Sequence, residues 1–286
     1  MINIILTYKI SKNRFLKFFL LKIKGLILIF NKIKKDGRKF MKIQKIGSRG
    51  ILFTFEPNDS NVPYSTSVYL INSDNYIFLC DTHLGTNSME FIKKYINDFI
   101  KEKPIIIFNS HSDYDHIWGN CAFEKKIIIS HTKCREIIIE KGMNVLKNYE
   151  NYKNGEVILK LPNLTFDNKI IFEDDNIEFF YTPGHTIDSA SCFDKKDMVI
   201  FSGDLFEDPI PYLGYHKLEE YIKTIELLKK TNTTIISAHS GIINESLINK
   251  NLLYIKDVYS GKELYFKDDK IQEIHNFNIK NIFNNF

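Results

Sequence analysis

An α+β fold, with sheets covered by helices on their outer faces, is what the order of elements in this 286-residue chain predicts. Two observations carry the prediction. From residue 42 onward, short apolar runs alternate with turn signals, and hairpin-like runs come first. Stretches with helical spacing are then interleaved with further runs. The composition, 44% hydrophobic, 26% charged and 14% aromatic, excludes collagen-like, disordered and membrane-embedded chains.

Element by element, Ile51–Phe55, Ser67–Ile71 and Tyr76–Cys80 are separated by the polar loops Pro57-Asn58-Asp59-Ser60 and Asn72-Ser73-Asp74-Asn75, and read as successive antiparallel strands. Met89–Ile100 sets Ile92, Tyr95, Ile96, Phe99 and Ile100 on one helical face. Ile105–Phe108 and Ile127–Ile129 read as short buried strands, the second followed by a helix over Lys133–Lys141. Glu156 to Tyr181 reads as rich in hairpins. Strand Met198–Phe201, helix Leu218–Leu228, strand Thr234–Ser237 and a final helix over Glu245–Val258 complete the pattern.

Charge divides the chain. Residues 1–40 hold 11 Lys/Arg against one Asp, whereas 41–286 hold 28 Lys/Arg against 34 Asp/Glu. The basic signal, which points to membrane or nucleic acid partners, therefore belongs to the leader alone. Its apolar stretch, Phe15 to Phe30, is interrupted by Lys17, Lys22 and Lys24 and falls short of the ~20 apolar residues of a membrane span. The leader reads either as a basic amphipathic helix on an anionic surface or as a disordered or untranslated extension preceding a start at Met41. The second reading is preferred, and residues 41–286 are expected to form one domain. Cys80, Cys121, Cys134 and Cys192 include no CxxC pair, which favours a reducing, cytoplasmic setting.

The chemistry lies where strands end. Ile105–Phe108 leads to His111, Phe179-Phe180-Tyr181 to His185, Met198–Phe201 to Asp204 and Thr234–Ile236 to His239. Strand ends gathered on one edge bring these side chains into a single cleft, as a metal site requires. The densest element, His111-Ser112-Asp113-Tyr114-Asp115-His116, has four ionisable groups in six residues. Burying them without a cation costs on the order of several kcal/mol each.

That element resembles the HxHxDH signature of the metallo-β-lactamase superfamily. Thr182-Pro183-Gly184-His185-Thr186, Ser202-Gly203-Asp204 and Ala238-His239 follow in that family's order, so that the resemblance covers about residues 43–261. It implies a four-layer αββα sandwich with two divalent metal ions at one edge. One ion would be held by His111, Asp113 and His185, the other by Asp115, His116 and His239, with Asp204 bridging. Asp81 falls where the family places a carboxylate that orients a ligand. Asp113 replaces the family's second histidine and moves the preference from zinc, the first expectation, towards manganese or iron. Ile187 stands where many relatives carry proline.

Other residues are weighed against plainer roles. His131 ends a strand and is a candidate to support the cleft or touch substrate. Tyr212, Leu213 and Tyr215, flanked by Pro209 and Pro211, are candidate pocket residues or simple rim packing. His83 is either a solvated loop residue or a cleft neighbour. His216 and His275 are expected at the surface, and Cys121 and Cys134 as small core residues.

The resemblance implies a hydrolase acting on a small-molecule ester, thioester, lactone or phosphodiester, with Asp115 as the catalytic residue that orients water and relays its proton. Asp204 at the bridging position is similar to the glyoxalase II and lactonase branches. The acidic body argues against nucleic acid, no membrane span is expected, and a homodimer is possible. Asp113 motivates two alternatives: a diiron redox enzyme, although the flavodiiron branch carries a further domain and only 25 residues follow Gly261, or a ligand-binding protein with a degenerate site.

Overall fold

The computed structural model describes residues 41–57 and 62–283 in full, and 5–10, 14–23 and 26–33 as backbone strand. The first sheet has ten strands in chain order: β1 (Ile5–Ile10), β2 (Arg14–Ile23), β3 (Leu26–Ile33), β4 (Lys42–Ile46), β5 (Gly50–Phe55), β6 (Thr66–Asn72), β7 (Ile77–Cys80), β8 (Ile105–Phe108), β9 (Ile127–His131) and β10 (Leu164–Phe166). Neighbours are antiparallel up to β7, and β7 through β10 are parallel.

The second sheet runs β11 (Lys169–Phe172), β12 (Ile177–Tyr181), β13 (Ala190–Asp194), β14 (Val199–Phe201), β15 (Thr234–Ser237) and β16 (Gly241–Ile242). It is antiparallel except for the β14–β15 pair. The helices are α1 (Thr86–Phe99), α2 (Tyr114–Ile117), α3 (Thr132–Asn148), α4 (Leu218–Lys229), α5 (Glu245–Tyr259) and α6 (Asp269–Phe283).

Alternation along the strands decides the layers. Leu52, Tyr69, Phe78 and Phe108 from the first sheet meet Ile177, Phe179, Cys192 and Phe201 from the second in the central core. Residues pointing the other way on the first sheet, Phe53, Val68, Leu70, Leu79 and Ile107, pack under Met89, Ile92 and Ile96 of α1. On the second sheet Ile200 and Ile235 pack under Leu218, Tyr221 and Ile225 of α4 and Ile248 and Ile255 of α5. The result is an αββα sandwich.

At the end of the sandwich away from Cys80, Arg49 ties the sheets together. Its Nε and Nη2 donate to the Asp194 carboxylate at 3.0 and 2.6 Å, and Nη2 also donates to the Asp175 carbonyl at 2.8 Å.

Several expectations change. The run from Glu156 is not a series of hairpins: residues 156–163 are irregular, β10 lies parallel to β9, and only β11 and β12 form a hairpin. The helix over Glu245–Val258 is not the last, because α6 follows it. Its inward face includes His275 and Asn278, polar residues that dilute the apolar period. His275 is therefore buried rather than on the surface, with Nδ1 3.0 Å from the Tyr254 hydroxyl. His83 is fully buried and stacks on Phe55 at 4.2 Å. Burial, followed by the neighbouring His116 and His239, pushes its pKa down to about 3.

In the leader, the amphipathic helix gives way to strand. β3 pairs with β4 through Leu28↔Gln44 and Ile29↔Ile43. The leader's side chains, and the loop at 58–61, lie outside the described residues.

Phe108 and Phe179 stack across the central core with centroids 4.5 Å apart. Phe179→Ala should cost about 3–5 kcal/mol. A denaturant midpoint within experimental error of the unsubstituted protein would contradict this packing.

Candidate metal centre

Parallel pairing sets the ends of β7 and β8 side by side, with Cys80 opposite Phe108, and does the same for β14 and β15, with Phe201 opposite Ile236. Each end then turns towards the other sheet. The Ala190 N–H donates to the Ser110 carbonyl at 2.8 Å, and the Ser67 N–H to the Ala238 carbonyl at 2.8 Å, so hydrogen bonds close this edge of the sandwich. Asp81 (φ 64°) and Gly203 (φ 57°) take left-handed backbone at the bends. A Cβ at Gly203 would meet the Ser110 Oγ at 2.7 Å, so this tight approach needs glycine.

His111, Asp113, Asp115, His116, His185, Asp204 and His239 come together here. Three groups have ligand atoms all within 4.8 Å of one another: His111, Asp113 and His185; His111, His116 and Asp204; and Asp115, His116 and His239. Asp204 lies at the centre. Its Oδ2 is 3.0 Å from His239 Nε2, 3.2 Å from His116 Nε2, 3.5 Å from His111 Nε2 and 3.9 Å from His185 Nε2. Asp113 Oδ2 stands 3.5 Å from the Nε2 atoms of His111 and His185. Asp115 Oδ2 is 3.6 Å from His116 Nε2 and 3.5 Å from His239 Nε2. Asp113 is the outermost member, its side chain 48% exposed, while Asp204 is buried.

Hydrogen-bond accounting fixes the rings. The Ser110 N–H and Oγ–H both donate to Asp81, at 2.7 and 2.8 Å, which leaves Oγ to accept the His111 Nδ1–H at 2.9 Å. The His116 Nδ1–H donates to Asp81 Oδ2 at 2.8 Å. The His185 Nδ1–H donates to the Tyr212 carbonyl at 3.2 Å, and the His239 Nδ1–H to the Ser65 carbonyl at 2.7 Å. With every Nδ1 a donor, four neutral rings would direct Nε2 lone pairs at carboxylate oxygens. Only protons or metal cations between them make that arrangement favourable. The buried His111 Nε2, His116 Nε2 and Asp204 Oδ1 have no hydrogen-bond partner. This donor set fits divalent metal.

Without a cation the site draws protons. Burial and the nearby His116 press the His111 imidazole down, but Asp204 and Asp113 outweigh them and hold it at about 10. His116 and His239 are likewise raised against the pull of burial by Asp204 and Asp115. Burial pushes Asp204 up, yet His116, His239 and His111 bring it well below the usual carboxylate range.

The remaining candidates fall elsewhere. Asp81 is the anchor of Ser110 and His116. His131 does not reach the cluster: its Nδ1 accepts the Lys133 N–H at 3.2 Å as the cap of α3, and its Nε2 donates to the Asp167 carbonyl at 3.0 Å. Tyr215 is buried, with its hydroxyl donating to Glu220 at 2.9 Å, and Leu213 belongs to the core beneath α4 and α5. Tyr212 keeps an exposed ring and serves His185 through its carbonyl. His216 is exposed, Cys134 is buried and Cys121 is only partly so.

Glu207, buried with Oε1 3.8 Å from His185 Nδ1, escaped the sequence reading. So did the carbonyls of Ser65 and Tyr212, which have no side-chain signature.

Because metal must displace the protons held by raised imidazoles, zinc titrated into metal-free protein at neutral pH should release protons, and affinity should fall as pH falls. Calorimetry in buffers of different ionisation enthalpy reads this directly, and a buffer-independent heat would contradict it. Asp81→Ala, which frees both Ser110 and His116, should weaken metal binding about 10–100-fold. Unchanged affinity would remove Asp81 from the support of the site.

A family model described as the metallo-β-lactamase superfamily matches residues 61–239. The chain is 30% identical over 229 residues to a ribonuclease Z of Borrelia garinii subsp. bavariensis, spanning 76% of this chain and 66% of that protein. It is 27% identical over 142 residues to a probable metallo-hydrolase of Methanocaldococcus jannaschii, spanning 48% of this chain and 58% of that protein. The chain thus spans about three fifths to two thirds of the length of these curated relatives.

Among solved structures, the DIM-1 metallo-β-lactamase superposes with a TM-score of 0.61 at 18% identity, covering 77% of this chain and 98% of that one. A metallo-β-lactamase from Pontibacter korlensis gives 0.61 at 17% identity, covering 76% and 99%. These likenesses bear on the fold, and the family match bears on descent: the chain belongs to the metallo-β-lactamase superfamily.

Proposed function

We propose that the protein is a metal-dependent hydrolase with two divalent cations, zinc first, acting on a small ester, thioester, lactone or phosphodiester. The observation that carries this reading is the convergence of four Nε2 atoms and three carboxylates on one cleft, with buried donor atoms lacking any other partner. Cations held by these residues would supply Lewis acidity and lower the pKa of a bound water.

The chain's own residues divide the remaining work. Asp204 holds the centre of negative charge between the two ligand groups. Ser110 and Asp81 keep His111 and His116 from rotating, so the ligand geometry is set before substrate arrives. Asp115 receives a hydrogen bond from the Thr66 hydroxyl at 3.4 Å on the oxygen that faces His116 and His239. That oxygen is placed to orient a water and take its proton. Asp113, on the open side, leaves access to the position shared by His111 and His185.

The ribonuclease Z likeness keeps phosphodiesters in the substrate range. The acidic balance of residues 41–286, with 34 Asp/Glu against 28 Lys/Arg, favours a small phosphodiester over a long polyanion. Asp113 supports one rival, a diiron redox centre, because a carboxylate in place of a histidine favours harder, redox-active metals. Oxygen consumption by iron-loaded protein tests that rival. The four free cysteines agree with a reducing cytoplasmic location. Among the described residues, no helix is long and apolar enough to cross a membrane.

A panel of thioester, lactone, aryl ester and phosphodiester substrates tests the reading. Turnover of at least one by zinc- or manganese-loaded protein is expected. Asp115→Asn should reduce its kcat by about 100-fold or more, with the circular dichroism spectrum unchanged. Undiminished turnover in that variant would sink the role of Asp115, and no turnover across the panel would sink the hydrolase reading.

A further inference from the structure

The four histidines are not supported alike. His111 and His116 lean on Asp81 and Ser110 at the ends of β7 and β8, and His239 leans on the Ser65 carbonyl just before β6. His185 is held from the other side. Its ring donates to the Tyr212 carbonyl at 3.2 Å, and its own carbonyl accepts the Gly214 N–H at 2.9 Å. Both contacts come from the segment 207–214, which is not a strand or helix.

Two fully buried asparagines fix that segment by its backbone. Asn251 of α5 accepts the Glu207 N–H at 3.0 Å and donates to the Glu207 carbonyl at 2.9 Å. Asn278 of α6 accepts the Leu213 N–H at 2.9 Å and donates to the Pro211 carbonyl at 2.8 Å. Between these clamps, Glu207 Oε1 accepts the Tyr212 N–H at 3.3 Å and lies 3.8 Å from His185 Nδ1. The Tyr212 carbonyl fixes the tautomer of His185, and the nearby Glu207 carboxylate favours the ring's donation to a metal. Asn278 also donates to the Tyr254 hydroxyl at 3.0 Å, which ties the clamp to the packing of α5 on α6. An apolar residue in place of either asparagine would strand buried backbone groups of the loop, so the two amides fix its path.

We infer that Glu207 and Asn278 are positioning residues for His185, so that helix α6 acts on the metal position formed by His111, Asp113 and His185 more strongly than on the position formed by Asp115, His116 and His239. The inference rests on the two-position reading of the site. The asymmetry has a physical basis. The first position has the half-exposed Asp113 and a loop-held histidine. In the second, His116 and His239 are braced at strand ends by Asp81 and the Ser65 carbonyl. Loss of a brace outside a ligand weakens metal binding without removing a donor atom.

The test is a zinc titration of the full, metal-free chain against a competing chelator, with cobalt absorption as a second reading of each position. The unsubstituted chain should bind two ions. Glu207→Gln, which keeps size and the Tyr212 contact, and Asn278→Leu, which removes the clamp while keeping the branched shape of the side chain, should each weaken one of the two affinities about 10–100-fold, with the other changing less. Ile92→Ala, on the buried face of α1 in the opposite helical layer of the sandwich, lowers stability and should leave both affinities in place.

Two tight ions in both loop variants would overturn the inference while the two-position reading stands. Equal weakening of both positions, or the same loss in Ile92→Ala, would reduce the effect to general destabilisation and overturn it as well. Fewer than two ions on the unsubstituted chain, read before any substitution is made, would overturn the two-position reading and this inference with it.

Discussion

A buried carboxylate among four imidazoles cannot stand without positive charge, and the architecture around Asp204 follows from that constraint. Each ring turns its Nδ1–H outward to a fixed acceptor, so each Nε2 faces inward. The acceptors must themselves be rigid: they are Asp81, a serine locked by Asp81, the Ser65 carbonyl just before β6 and the Tyr212 carbonyl in a loop held by Asn251 and Asn278. Burial makes a mispaired group expensive here, and the same burial makes a correctly placed cation hold tightly. The sandwich provides this rigidity through the stacked core between the sheets and the hydrogen bonds that join the sheets at the metal edge.

Much of this was legible in the sequence because the chemistry sits on a periodic frame. Apolar runs that end in small residues and then in histidine or aspartate announce strand ends, and the crowded His111–His116 element announces a cleft. The layer order follows from the same alternation. What escaped had no side-chain code. The Tyr212 and Ser65 carbonyls are main-chain atoms. Glu207 becomes notable only once the loop folds it behind His185.

Helix α6 was missed because Asn278 and His275 face inward, where the period calls for apolar residues. Tyr215 and His131 were candidates for the cleft because they flank its elements. The structure uses one as a buried hydrogen-bond donor to Glu220 and the other as a helix cap. Side-chain type reveals what a residue can do, and tertiary context decides which of those roles it takes.

Fold and family bound the chemistry without naming a substrate. The proteins this chain is similar to carry different names, a ribonuclease Z in sequence and a metallo-β-lactamase in fold. The feature that sets this site apart from the family's usual pattern is Asp113, an exposed carboxylate at the mouth of the cleft. It gives the proposed outer metal position a carboxylate to match Asp115 at the inner one, and it leaves the outer position more open. Selectivity for metal is therefore expected to arise there, and the loop behind His185 adds a second means of adjusting the same position.

The central claim is that positive charge at Asp204 is supplied by metal. It is tested most directly by elemental analysis of the full chain, purified with neither added metal nor chelator. Two divalent ions per chain is the predicted result. A chain that carries no metal and takes up none on dialysis against zinc, manganese or iron would contradict the account, because the imidazoles would then be held by protons alone.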